Sequence, residues 1–218
     1  MIRLTLVLIA LLVFNACSLK TPENDWQRKS TSAFSSYTKN FLSGNDALAQ
    51  NDLSRAIQHA KQSADLTQLA KIYLGECALN ISSGTNDTCK KYIHISNLLE
   101  DKKLDAYYSL LTRSINKQQI NLLPPQYQSF ASNILKKDFT AANIAIQKMQ
   151  KASSAFLCAA LIKDKLDSNT RKHILDSASL NGYKKLVLFW LKEEKNFTTD
   201  ESHLEKLQKK ISILKSDI

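Results

Sequence analysis

An all-α fold is predicted by three observations. Glycine and proline are scarce, 4 and 3 in 218 residues, which leaves few of the residues that tight β-turns need. Apolar residues recur at three- and four-residue intervals along most of the chain, the spacing of one helix face. The polar stretches between these segments are only a few residues long, so successive helices must fold back antiparallel. The expected architecture is an array of antiparallel helical hairpins, an α-solenoid, with an irregular helical bundle as the alternative.

The first element is not part of that array. Met1, Ile2 and Arg3 precede an apolar run from Leu4 to Phe14, followed by Asn15, Ala16 and Cys17. A short basic segment, a brief apolar stretch and a small residue before the cut read as a secretory signal over 1–16. The run is well short of the ~20 apolar residues that span a bilayer, which disfavours an uncleaved anchor. Leu12 to Cys17 resembles the lipobox of bacterial lipoproteins. The resemblance implies that Cys17 is thioether-linked to diacylglycerol, and that its freed amine carries a further acyl chain such as palmitate. It also implies that Ser18, where the inner-membrane retention signal would be Asp, directs the chain to the outer membrane, facing the periplasm. Ordinary secretion, with Cys17 free or in a disulfide, is the alternative. Residues 17–25 then form a polar, acylated tether.

Helical elements fill 26–198. Trp26, Ala33, Phe34, Tyr37 and Phe41 mark one face of a first helix that loosens at Gly44. Asp52 is placed to cap a second, with Leu53, Ala56, Ile57, Ala60 and Ala64 inside. Leu66, Leu69, Ala70, Tyr73, Cys77 and Ala78 continue to Gly84. Helices are expected over 87–100 and 102–116. Pro124-Pro125 is the strongest punctuation, since proline suits a first turn and not an interior. Beyond it the spacing predicts helices over 125–137, 138–151, 153–166, 168–181 and 183–195, with Gly182 as a stop between the last two. Thr199 or Asp200 caps a C-terminal helix over 199–218. Its seam of Leu204, Leu207, Ile211, Leu214 and Ile218, flanked by lysines, suits the cap that closes an array. A docking helix for another protein is the other reading of that seam.

Asn51-Asp52-Leu53-Ser54-Arg55-Ala56-Ile57 is echoed by Lys137-Asp138-Phe139-Thr140-Ala141-Ala142-Asn143. With Ala60, Leu69, Ala70 and Tyr73, residues 42–79 resemble a tetratricopeptide-type unit, and the likeness extends loosely to 195. The regular 34-residue period and the Trp-Leu-Gly and Pro landmarks are missing. The resemblance implies a concave surface that binds peptides or proteins.

Cysteine and charge fit an exported protein. Cys77 and Cys89 flank a turn-like stretch and are a candidate disulfide, worth about 2–3 kcal/mol by loop closure. Two buried apolar cysteines are the alternative. Cys158 lies in a wholly apolar setting and reads as core. The formal net charge of +10 rests largely on scattered lysine pairs such as Lys90-Lys91 and Lys209-Lys210. These read mostly as solvated helix faces; anionic headgroups or an acidic protein are the partners such a charge would favour.

No catalytic constellation emerges. Gly-rich phosphate loops, zinc helices, nucleophile elbows and Cys-x-x-Cys pairs are absent from the sequence. His59, His94, His173 and His203 are far apart, so no metal or cofactor is expected. Glu201-Ser202 resembles the Glu-Ser pair of lytic transglycosylases, but it lacks that family's companion motifs and suits a helix's first turn. Glu194-Lys195-Asn196-Phe197-Thr198 resembles the bacterial N-glycosylation sequon, making Asn196 a candidate acceptor. Tyr107, Tyr108, Tyr183, Phe189 and Trp190 read as packing residues, and the tyrosine hydroxyls could line a peptide groove. The expectation is a membrane-anchored adaptor or assembly scaffold of the cell envelope, binding proteins or peptides. No nucleic-acid or small-molecule substrate is expected. A peptidoglycan-acting enzyme, or its non-catalytic subunit, is the competing class. A lipid or lipopolysaccharide carrier is a third.

Overall fold

The computed structural model describes residues 24–216. The lipobox, Cys17 and most of the tether fall outside the described residues, as does Ile218. Among the described residues there are twelve α-helices, one 3-10 turn and no strand. None of these helices is long and apolar enough to cross a membrane. The chain is all-α.

Helix α1 spans Asp25–Ser43 and buries Ser30, Ala33, Tyr37 and Leu42. It stops at Gly44 as expected, but α2 starts at once and covers Asp46–Ala60. Asp52 is therefore not a cap. The intervening Ala47, Leu48, Ala49 and Gln50 are good helix formers, and Ala49 packs into the core, so the helix runs through them. Asp52 is left inside the helix, buried, where its carboxylate accepts from Asn40 Nδ2 and Arg55 Nη2, both at 2.7 Å. The carboxylate clasps α1 to α2.

Helix α3 (Thr67–Ser82) is followed by Gly84, in the left-handed region at φ 85°. A Cβ here would lie 2.4 Å from the Phe189 ring, so the close approach of the two segments also demands glycine. The helix expected over 87–100 is shorter. Helix α4 covers Lys90–Ser96, because Cys89 is held left-handed at φ 56° and its N–H bonds back to the Asp87 carboxylate at 2.7 Å. Asp101 caps α5 (Lys102–Leu111), which ends five residues before the predicted 116. There Arg113 turns left-handed, and the one-turn α6 (Lys117–Ile120) follows with an Asn116/Gln119 capping box.

The second half follows the proline punctuation. Helix α7 is Pro125–Leu135, and α8 is Phe139–Gln147, capped by Asp138 through Ala141 N–H. The helix expected over 153–166 divides into α9 (Ala152–Leu161) and a 3-10 turn, Lys163–Lys165. Asp167 caps α10 (Ser168–Leu180), and Gly182 at φ 67° separates it from α11 (Lys184–Glu194). Asp200, not Thr199, caps α12 (Glu201–Lys215).

Two helices organise the packing. In α9 every residue from Ser154 to Ala159 is buried, and α3 buries residues around most of its circumference. A helix apolar all round must be surrounded. Helix α9 packs against α3, α7, α8 and α10, while α11 packs against α1, α10 and α12. The α9–α3 and α11–α1 contacts join segments far apart in sequence. A linear array makes contacts only between neighbouring repeats. Lys185 fixes the second junction, pairing with Asp46 and lying 4.0 Å from the Phe41 ring centroid. Nearly all buried apolar side chains form one cluster; Leu191, Leu207 and Ile211 form a small separate one beneath α12.

Candidate functional site

Helices α10 and α12 both flank α11, and an open cleft of about 650 Å³ lies between them. Val187 and Leu191 of α11 line it together with Leu175 of α10 and Leu214 and Ile213 of α12. Lys184 and Lys210 supply cations, and Asp176 the acid, already engaged by Lys172 at 2.6 Å. No carboxylate among the described residues is in salt-bridge distance of Lys184 or Lys210. Lys184 also lies in the first turn of α11, where the helix dipole is positive, so its charge adds to that field. The cleft is thus apolar inside and cationic at its edge. Sequence reasoning marked the α12 seam but not Leu175, Val187, Leu191 or Lys210 as one surface. Only the folding of α10 and α12 against the same helix brings them together.

Cys77 and Cys89 are joined by a disulfide with Cα atoms 5.2 Å apart. The loop it closes has its own clasp: Asn80 Nδ2 donates to Asp87 at 2.7 Å, and Lys91 Nζ reaches both Glu76 oxygens at 2.6 and 2.8 Å. Among the described residues the metal-type donors that come together are Cys77, Asp87 and Cys89. Both sulfurs are spent on each other, so the group presents one carboxylate and no thiolate. His59, His94, His173 and His203 sit on four different helices.

Asn196 is exposed in the turn after α11. Its sequon is braced on the protein side, with Arg171 bonded to Glu194 at 2.9 Å and stacked 4.1 Å from the Phe197 ring centroid. Glu201 is exposed in the first turn of α12 beside the cap Asp200, and it does not line the cleft between α10 and α12. The buried acid among the described residues is Asp52, whose oxygens are already taken. The aromatic residues go mainly into packing: Trp190 is 2% exposed, Phe189 covers Gly84, and Tyr108 lies against Tyr92.

Cys158 is wholly buried among apolar neighbours, and burial pushes its thiol well above the usual range. The same desolvation raises the Tyr107 hydroxyl, which faces Tyr127. A thiol so held is neither ionised nor reachable. Native protein is expected to react with a thiol reagent at Cys158 far more slowly than protein in denaturant, by at least about a hundredfold. Equal rates in a mass-shift assay would place Cys158 at the surface.

No protein-family model matches the chain, and no curated protein or solved structure is similar to it at a significant level.

Proposed function

We propose that this protein is a lipid-anchored component of the bacterial cell envelope whose helical body binds another protein, as an adaptor or assembly scaffold. The observation that carries the binding half is the open cleft between α10 and α12, apolar within and fringed by Lys184 and Lys210. The anchoring half rests on the lipobox-like sequence ending at Cys17. The Cys77–Cys89 disulfide supports an oxidising compartment. Within this reading Ser18 directs the chain to the outer membrane, Asn196 is a glycan acceptor, and the body is no enzyme. The architecture is best read as an irregular bundle built from helical hairpins, because α9–α3 and α11–α1 contacts close the stack on itself.

Several acyl chains make attachment persistent, each buried methylene contributing ~0.8 kcal/mol. Mass spectrometry of the mature protein is expected to show an acylated N-terminal Cys17 and, where a glycosylation system is present, a glycan on Asn196. Cys17→Ala is expected to move nearly all of the protein from the membrane fraction to the soluble fraction. A Cys17→Ala variant that stays with the membrane overturns the anchor. Crosslinking the anchored protein in cells should recover an envelope protein, and detection of glycan turnover by the purified body would overturn the adaptor assignment.

A further inference from the structure

We propose that the cleft between α10 and α12 receives an acidic amphipathic helix of a partner protein, an inference that rests on the protein-binding reading above and names its ligand chemistry. The cleft is a trough with helices as both walls and α11 as its floor. Grooves of this kind take a helix through apolar anchors at i, i+3, i+4 and i+7. No strand edge exists among the described residues to pair with an extended peptide. The apolar wall is open to solvent: Ile213 is 61% exposed. Helix α12 is itself held by a small cluster, Leu191, Leu207 and Ile211, apart from the main core. A further helix laid against Val187 and Leu214 would enlarge that cluster and cover Ile213.

Charge selects the occupant. Lys184 and Lys210 have no carboxylate partner among the described residues, and the one acid in the lining, Asp176, is bonded to Lys172. Along α12, Lys206, Lys209, Lys210 and Lys215 outnumber the exposed acids Glu201 and Glu205, which keeps this side net positive. A second copy of this chain would bring like charge onto like, since both bodies are strongly basic. A partner helix with Asp or Glu flanking its apolar stripe satisfies both the floor and the fringe.

The test places a photoreactive benzophenone side chain at Ile213 in the full anchored chain, irradiates cells that make it, and sequences the crosslinked peptide. A parallel probe sits at Ile144 on α8, also exposed. The expected adduct at Ile213 is a net-negative segment of another protein with apolar residues three and four apart. Combined Lys184→Glu and Lys210→Glu should lower its yield about tenfold without moving the thermal midpoint, since both side chains are exposed. An adduct with a second copy, with lipid or with a basic segment overturns the proposal, as does an unchanged yield in the charge-reversed variant. Protein adducts at Ile144 with none at Ile213 overturn the cleft and leave the adaptor reading standing. Absence of protein adducts at both positions overturns the two together.

Discussion

Phe156→Ala is expected to destabilise the protein by about 3–5 kcal/mol, the range for deleting a fully buried aromatic side chain. Phe156 is 1% exposed in the middle of α9 and meets the Tyr183 ring edge-on at 6.0 Å. Its helix is surrounded by α3, α7, α8 and α10, so no face is free to collapse into the space left behind. The result should be a fall of roughly 6–20 °C in the thermal midpoint of a chain this size, followed by circular dichroism at 222 nm. Phe156→Leu should recover much of it, and Ile213→Ala, at an exposed position, should change stability by less than about 0.5 kcal/mol. The form of the transition is as informative as its midpoint. If α9–α3 and α11–α1 contacts make one cooperative unit, the variant melts in a single step. A biphasic curve, with α1 and α2 still helical after α9 has melted, would show nearest-neighbour coupling instead and restore the open array.

The contrast between Asp52 and Asp138 shows what could be read from the sequence and what could not. Both acids precede a bulky apolar residue and an alanine-containing helical stretch. Asp138 follows Lys137, left-handed at φ 59°, so the chain has already left α7 and the carboxylate caps α8. Asp52 follows six residues already in helix, and it ends up inside α2. What tolerates a carboxylate there is Asn40, twelve residues back on another helix, which no local window reveals. Stops set by backbone chemistry were legible: Gly44, Gly182, Pro125 and the cap at Asp200 fall where local rules put them. The early ends of α5 and α7 were not, because Arg113 and Lys137 occupy left-handed positions that favour glycine.

The candidate site was legible only in part, for a related reason. Periodicity tells which side of a helix is apolar but not what covers it. The α12 seam was visible, and Leu207 and Ile211 are buried as a seam requires. That α10 would stand across from it, leaving Leu175 and Ile213 on facing walls, depends on α10 and α12 both packing against α11. Helix α11 is in turn held to the first half of the chain by Lys185 with Asp46 and Phe41, and by Phe189 on Gly84, contacts spanning more than a hundred residues. The unbroken apolar composition of Ala155 to Leu161 was the one sequence signal that α9 is surrounded by other helices. A helix in an open stack keeps one polar face, and α9 has none to offer.

Removing the Cys77–Cys89 bridge, by Cys77→Ser with Cys89→Ser or by a dithiol reductant, is expected to cost about 2–3 kcal/mol. In a chain of this size this corresponds to a midpoint lower by roughly 5–10 °C. The native loop should nonetheless persist. Asp87 still accepts from Cys89 N–H and from Asn80, and Glu76 still holds Lys91 across the same gap. The loss therefore belongs mainly to the unfolded chain, which regains the freedom of the loop closed by residues twelve apart. That origin has a signature. Helical content before unfolding should be unchanged, while the denaturant slope stays constant or rises as the uncrosslinked chain expands further. A drop in stability accompanied by lost helix signal would instead mean that the bridge is needed to seat α4 on α3. Protein isolated from cells whose midpoint is indifferent to reductant would show that the two thiols are not bridged there, and would remove the disulfide as support for an oxidising compartment.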